Sequence, residues 1–401
     1  MAKKQKEEEK KDVKTCSYCS AENNLTDVYC AKCYHYLPDL EAIKINVDAI
    51  NAIDETGLYK IKKFSEYDKY SIKVPPLSTG SLLIDKAFLG GFPRGNRIEI
   101  AGPDQCGKTT LALHTAAEVQ KLGGQVLYID MENALDIDYA ERIGVNIDDL
   151  YLVQPNNGTH ALKIITDCVG LFDLIILDSV GACAPNDSLN KEQKVDKSTG
   201  EYIENQEMAS LPRMMGRFQP RLIKAIASTT KNCTIIFINQ VRENVSMFAS
   251  QYNKWLPPGG RAYKHLLQTR ILMESEDTAK SLLFQDDSKD AVVGRIVKVR
   301  IVKSKNLRVK ANSEIQIKYD GIYKFHEIKT LAYEYGIIQK TGAWWSCEAS
   351  GFEFKVQGES GLEDYLEENP KVTEYLEGEI KKYINHSVKE VTEIPMEEEN
   401  V

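Results

Sequence analysis

The stretch Gly102-Pro103-Asp104-Gln105-Cys106-Gly107-Lys108-Thr109-Thr110 constrains this chain more than any other part of it. An apolar run, Ile98-Glu99-Ile100-Ala101, precedes it and an amphipathic segment, Leu111 to Lys121, follows, so it reads as a turn between a strand and a helix. The pattern is G-x-x-x-x-G-K-[ST]. Its glycines let the backbone turn tightly, so that successive N–H groups and the helix N-terminus point at anionic oxygens. Lys108 can then reach the terminal phosphates of a nucleotide, and the Thr109 hydroxyl can hold a magnesium ion. A plain glycine-rich turn matches the same letters by chance; the flanking elements and an acidic partner downstream argue against that here.

That partner is Asp178, which ends the apolar strand Leu174-Ile175-Ile176-Leu177. A carboxylate at such a strand tip can accept a hydrogen bond from Thr109 or from magnesium-bound water. Glu132 lies just past a second apolar strand, Val126 to Asp130, where it can orient and deprotonate the water that attacks a γ-phosphate; the plainer reading is a helix cap or surface residue. Gln240 ends a third, Ile235-Ile236-Phe237-Ile238-Asn239, where an amide can sense the γ-phosphate by hydrogen bonding.

The length of 401 residues allows one substantial core with one or two small modules, and 42% hydrophobic and 27% charged residues are ordinary for a globular protein. No apolar run approaches a membrane span, and Lys3 to Glu9 lacks the apolar stretch of a signal peptide, so a cytoplasmic protein is expected. A net charge of −8 argues at first against a nucleic-acid partner. Residues 361–401, however, hold twelve acidic and four basic side chains, which accounts for all of it, so partner choice elsewhere rests on local patches.

Nine cysteines fall into two groups. Cys16, Cys19, Cys30 and Cys33 form two C-x-x-C pairs with ten residues between them, a spacing that suits a closed tetrahedral zinc site; two local disulfides or an iron site are the alternatives. A four-cysteine site has no open coordination position, so its role is expected to be structural or adhesive. Cys106, Cys168, Cys183, Cys233 and Cys347 are scattered and expected to be reduced.

The expected organisation is a charged tail (1–14), a four-cysteine module (15–40), a linker (41–76), an α/β core (77–320), a small α+β domain of short helices and turns (321–385) and an acidic disordered tail (386–401). Strands are expected at 97–101, 125–130, 174–178 and 234–239, with helices at 109–121 and 160–171 between them. Buried strands alternating with helices imply a mostly parallel sheet covered on both faces, with ligands at the carboxyl ends of its strands.

Ser78-Thr79-Gly80-Ser81-Leu82, the glycine-rich loop, the segment Ile129 to Asp136 and the segment Phe237 to Arg242 together resemble the bacterial RecA recombinase family. Arg213-Met214-Met215, Gly259-Gly260, Val302-Lys303-Ser304-Lys305 and Thr341-Gly342-Ala343-Trp344 extend the resemblance in family order from about residue 70 to 385. It implies an ATPase that forms helical filaments on single-stranded DNA, holds ATP between neighbouring subunits, and carries out homologous pairing and strand exchange with double-stranded DNA. Residues 41–76 then include an N-terminal oligomerisation segment. The family's roles fall on Lys108 and Thr109 for phosphate and magnesium, Asp178 for the acidic strand tip, Glu132 for the general base and Gln240 for the γ-phosphate switch. Asp136 and Tyr139 fall where the family contacts adenine. Lys303 and Lys305 match lysines that the family inserts into a neighbour's ATP site, and period-two alternation from Val297, Val299 and Ile301 carries both onto one face; a solvated strand end is the plainer reading.

The polar segments 186–206 and 242–258 fall where the family holds its two DNA-binding loops, the first lengthened here by a charged insert from Lys191 to Glu201. Arg213, Arg217, Arg221 and Lys224 recur at helical spacing as a basic stripe, which Pro220 should kink and which is otherwise a solvated face. Arg242, Gly259 and Gly260 belong to the second loop, and Met247 and Phe248 can wedge between bases. His265 stands where the family has a phenyl ring at the subunit interface. The four-cysteine module, added for a protein partner or DNA contact, resembles nothing in the common RecA pattern and implies a divergent relative, phage-encoded or host-encoded. The RadA branch-migration ATPase also carries such a module, but Lys305-Asn306-Leu307-Arg308 departs from its signature. An ATP-gated scaffold without hydrolysis is the further alternative.

Overall fold

The computed structural model describes residues 13–15, 20–24, 75–183, 210–229, 231–243, 255–275, 281–284, 292–305 and 311–393. The four cysteines 16, 19, 30 and 33, the linker to residue 74, the insert 191–201, Met247, Phe248 and residues after 393 lie outside them. The chain divides into two units, Met1–Ile72 and Lys73–Val401. In the first, β1 (Val13–Thr15) pairs antiparallel with β2 (Glu22–Asn24), Thr15 opposite Glu22. β1 thus begins inside the run expected to be a tail.

The second unit opens with α1 (Leu82–Ala87). There follow β3 (Arg97–Gly102), α2 (Lys108–Lys121), β4 (Val126–Asp130), α3 (Ile137–Ile143), β5 (Leu150–Val153), α4 (Gly158–Cys168) and β6 (Leu174–Asp178). Next come α5 (Ser210–Ala227), β7 (Thr234–Gln240) and a ribbon of β8 (Arg242–Glu243) with β9 (Trp255–Leu256) that brings together the two ends of segment 244–254. α6 (Gly260–Leu266) and β10 (Thr269–Glu274) lead into β11 (Leu282–Phe284), β12 (Val292–Ser304), β13 (Asn312–Lys318) and β14 (Gly321–Ile322).

Among the described residues, ten strands form one sheet in the order β14-β13-β12-β10-β3-β7-β6-β4-β5, with β11 on β12. Every pairing from β10 to β5 is parallel, and those among β10 to β14 on the other side are antiparallel. The reason is legible in the residues: β4 is buried throughout and β6 and β7 at all but their last residue, as strands covered on both faces must be. One face packs against α2 through Leu111, Leu113 and Ala116; the other packs against α4, α5 and α6 through Leu162, Ile165, Phe218, Leu222 and Leu266. The antiparallel extension β11–β14 had no counterpart among the expected strands beyond the alternation at Val297 to Ile301.

The remaining elements are α7 (Lys324–Glu334), the antiparallel sheet β15 (Gln339–Thr341), β16 (Trp344–Cys347) and β17 (Phe354–Gln357), then α8 (Glu359–Glu368) and α9 (Pro370–Glu393). They enclose their own core, with Leu331, Trp345, Leu362, Leu366, Leu376 and Ile380 at its centre. Short helices were expected here, yet α9 has 24 residues and passes residue 385, where the domain was expected to end. Leu376, Ile380 and Ile384 recur every fourth residue on its buried side, and Glu377–Lys381 and Glu379–Lys382 pairs at 2.5 and 2.6 Å support its exposed side.

Ser78-Thr79-Gly80-Ser81 joins this lobe to the core. Asp85 accepts from Ser78 Oγ at 2.6 Å and from Thr79 N and Oγ1 at 2.8 and 2.7 Å, while Glu327 of α7 accepts from Ser81 Oγ at 2.6 Å and Leu82 N at 2.7 Å. Burial pushes both carboxyls up, Asp85 to about 6 and Glu327 to about 8, against the pull of these donors.

Candidate nucleotide-binding site

The loop after β3 turns through Gln105 (φ 56°) and Gly107 (φ 83°) into α2. Gly107 has a left-handed conformation in which a Cβ would be strained and would sit 2.2 Å from Ile317 Cδ1, so the position favours glycine. Gly107 caps α2 without a side-chain hydrogen bond, which leaves the first N–H groups of the helix to an external anion. Lys108 is buried along this loop, its Nζ donating back to the Pro103 carbonyl and lying 3.9 Å from Cys106 Sγ. The buried Cys106 thiol is pushed up by burial.

Three neighbouring strands, β7, β6 and β4, end side by side next to this loop. Asp178 at the tip of β6 accepts through Oδ2 from Thr109 Oγ1 at 2.8 Å and from Tyr128 OH of β4 at 2.7 Å. Beyond β4, Asp130 accepts from the N–H groups of Glu132 and Leu135 at 3.1 and 3.3 Å, which shapes the turn that carries Glu132. Glu132 does not cap a helix: its Oε1 accepts from Ser179 Oγ at 2.5 Å and lies 3.5 Å from Gln240 Nε2 at the end of β7. The Asp178–Ser179 peptide is cis. Burial raises Asp178, opposed by the hydrogen bonds from Tyr128 and Thr109.

An open cavity of 520 Å³ lies beside α2, lined by Gln105, Gly107 to Thr110, Tyr139, Val292 to Arg295 and Ile317 to Tyr319. Tyr139 OH and Thr110 Oγ1 share a hydrogen bond of 2.8 Å at its wall, whereas Asp136 is the N-cap of α3, accepting from Tyr139 N at 2.9 Å. The donor set (an uncapped helix N-terminus, a lysine, a threonine hydroxyl beside a carboxylate) suits a polyphosphate with a hydrated divalent cation, and the cavity is roomy enough for a base and sugar. Glu132 with a hydroxyl and an amide on one oxygen can hold and deprotonate a water. Gly102, Pro103, Asp104 and Gln105 complete the loop as expected from their spacing.

Tyr128, Ser179, Tyr319 and the wall from Val292 to Arg295 escaped the sequence reading. The first two lie on or beside strands already recognised, but their partners become visible only when β4, β6 and β7 are known to be neighbours. The last two belong to the unforeseen antiparallel extension.

Lys303 and Lys305 lie away from this cavity's lining. The pairing of β10 with β12 shifts at Arg270/Ile271, so Val302 is an extra residue and the strict alternation expected to carry both lysines onto one face is interrupted. Lys303 Nζ donates to the carbonyls of Lys264 and Leu267, both at 2.7 Å, at the end of α6, while Lys305 is exposed. Burial, Lys305 and Arg270 push the Lys303 ammonium below its ordinary value.

Arg213, Arg217, Arg221 and Lys224 are all exposed on α5, opposite the buried Met215, Phe218 and Leu222, and the helix runs on through Pro220. Gly259 (φ 110°) begins α6, where a Cβ would meet the Tyr263 ring at 2.6 Å; Gly260 follows, against Pro212 at the start of α5. Arg242 lies in β8, opposite Leu256. Among the described residues no helix is long and apolar enough to cross a membrane, and no group of three His, Cys, Asp or Glu side chains forms a metal cage.

A parallel α/β sheet with a phosphate-binding loop after a central strand, and carboxylates on the adjacent strand tips, defines a P-loop nucleotide-binding protein. Within that class the chain belongs to the RecA family: residues 42–323 match the RecA N-terminal domain and residues 326–385 the RecA C-terminal domain. It is 37% identical over 345 residues to Protein RecA of Phytoplasma mali, covering 85% of this chain and 95% of that relative. It is likewise 37% identical over 371 residues to Protein RecA of Clostridium perfringens (89% and 97%) and over 332 residues to that of Halalkalibacterium halodurans (82% and 88%).

Proposed function

We propose that this chain is an ATP-dependent DNA recombinase that assembles as a filament on single-stranded DNA, hydrolyses ATP between subunits, and pairs and exchanges strands with homologous double-stranded DNA. The observation that carries the reading is the meeting of Thr109, Asp178, Ser179, Glu132 and Gln240 at the mouth of the glycine-rich loop, on a chain of the RecA family. The match of residues 326–385 to the RecA C-terminal domain favours it over a RadA-type branch-migration ATPase.

Residues 102–110 hold the phosphates, Lys108 leaving the Pro103 carbonyl for them, and Thr109 and Asp178 are the residues that would hold magnesium. Bound magnesium supplies charge neutralisation at the phosphates. Tyr139 lies against the base, and Asp136 fixes the helix that presents it. Glu132 accepts a proton from the attacking water while Ser179 orients its carboxylate, and Gln240 reports the γ-phosphate to the loop after β7. Lys303 and Lys305 reach the phosphates of a neighbour, as an arginine finger does, which makes hydrolysis depend on assembly. Arg213, Arg217, Arg242, Met247, Phe248, Gly259 and Gly260 form the DNA side.

Zinc on Cys16, Cys19, Cys30 and Cys33 stabilises a small ribbon for a protein partner or DNA. The two C-x-x-C pairs, ten residues apart, support this reading. One zinc per chain by elemental analysis is expected; metal-free protein that keeps its fold in chelator would remove this part of the reading.

The test is three-strand exchange with purified protein, ATP and magnesium. Wild type should form joint molecules and Lys108→Ala none. Arg213→Ala with Arg217→Ala should weaken DNA binding and make the log–log dependence of affinity on salt shallower, by about one unit for each arginine that meets a phosphate. Joint molecules formed equally well by Lys108→Ala would sink the proposal.

A further inference from the structure

Tyr128 is 1% exposed in the middle of β4, yet its hydroxyl does not lie idle in the core. It donates to Asp178 Oδ2 at 2.7 Å, the same oxygen that accepts from Thr109 Oγ1 at 2.8 Å. Both bonds fall on one oxygen, which leaves Oδ1 for other donors. The phenol also faces Asp130 and Glu132, so it is the neutral donor inside a group of three carboxylates, and its own proton is held far above the ordinary tyrosine range by burial and by those charges. A phenylalanine would fill the same space; the hydroxyl adds only the bond to Asp178. Thr109 has a second duty toward a cation, whereas Tyr128 has none, so it is the permanent anchor of the carboxylate.

We propose that Tyr128 is a positioning residue for the cation half of the nucleotide site: by binding Asp178 Oδ2 it fixes the carboxylate plane and presents Oδ1 to the hydration shell of a divalent cation. This rests on the reading of Asp178 as the acidic partner of Thr109 in a magnesium–ATP site. Tuning of a metal site by the hydrogen bonds that orient its ligands is general. Here the orienting donor comes from the neighbouring parallel strand, in register with β6 through the Asp130–Asp178 pair.

The experiment is calorimetric binding of ATP to full-length wild type, Tyr128→Phe, Asp178→Asn and the double variant, in excess magnesium and in excess EDTA, with thermal melts of each. Wild type should bind more tightly with magnesium than without. Tyr128→Phe should keep the EDTA affinity and lose roughly tenfold of the magnesium-dependent gain, with the magnesium midpoint raised in proportion. In the Asp178→Asn background the same change should add no further loss. An unaltered magnesium dependence in Tyr128→Phe, or equal losses with and without magnesium, would overturn the inference while leaving the nucleotide site standing. A wild type that gains nothing from magnesium would overturn both.

Discussion

In the proposed reaction Glu132 is the base, and its environment explains why a carboxylate at this strand tip can take that part. One oxygen is held by Ser179 and approached by Gln240, so the side chain is oriented before any water arrives. Glu132→Gln should lower DNA-stimulated ATP hydrolysis by about two to four orders of magnitude and leave ATP affinity within about twofold. Steady-state ATPase assays beside equilibrium binding check this, and undiminished hydrolysis would remove Glu132 as the base. Lys108, Thr109, Glu132, Asp178 and Gln240 were legible because each ends or begins an apolar run that can only be a buried strand or its helix. Ser179 and Tyr128 were not, since their meaning comes from strand order, which local patterning does not encode. The lysine pair shows the opposite limit: period-two alternation is a sound rule until a bulge, here at Val302, adds a residue.

At the level of elements, α2 carries more than the phosphate loop at its start. His114 near its middle accepts from the backbone N–H of Ile322 at 2.9 Å through Nε2, tying the helix to β14 at the entrance to the C-terminal lobe. Accepting requires the neutral ring. Burial, with Lys121 adding to it and Asp320 opposing, lowers His114 to about 4. A histidine depressed in the folded state favours folding fully above its unfolded value near 6.5, and that contribution, up to about 3 kcal/mol, is lost as pH falls toward 4. Denaturant melts from pH 8 to 4 should show wild type losing stability across that window and His114→Gln, which can still accept from Ile322, losing less; parallel curves would contradict the assignment. The helices of this lobe were expected to be short and its end was set at residue 385, whereas α9 runs from Pro370 to Glu393 with Leu376, Ile380 and Ile384 on one buried stripe.

For the whole molecule, the sheet gathers the nucleotide machinery at the carboxyl ends of its central parallel strands, β3, β7, β6 and β4. Lys303 lies near the end of β12 and Lys305 just after it, in the antiparallel extension beside β10. Within one chain Lys303 is engaged by the carbonyls that end α6, the helix that begins at Gly259 and Gly260 beyond the second proposed DNA loop. In the proposed filament, ATP bound by one subunit is hydrolysed only when a neighbour on DNA supplies these lysines. The most direct measurement is the ATPase rate against single-stranded DNA concentration, with electron microscopy of the same samples. Slow turnover without DNA, and a rise that tracks filament formation, is the expected result. Turnover at one constant rate by isolated particles, indifferent to added DNA, would contradict it.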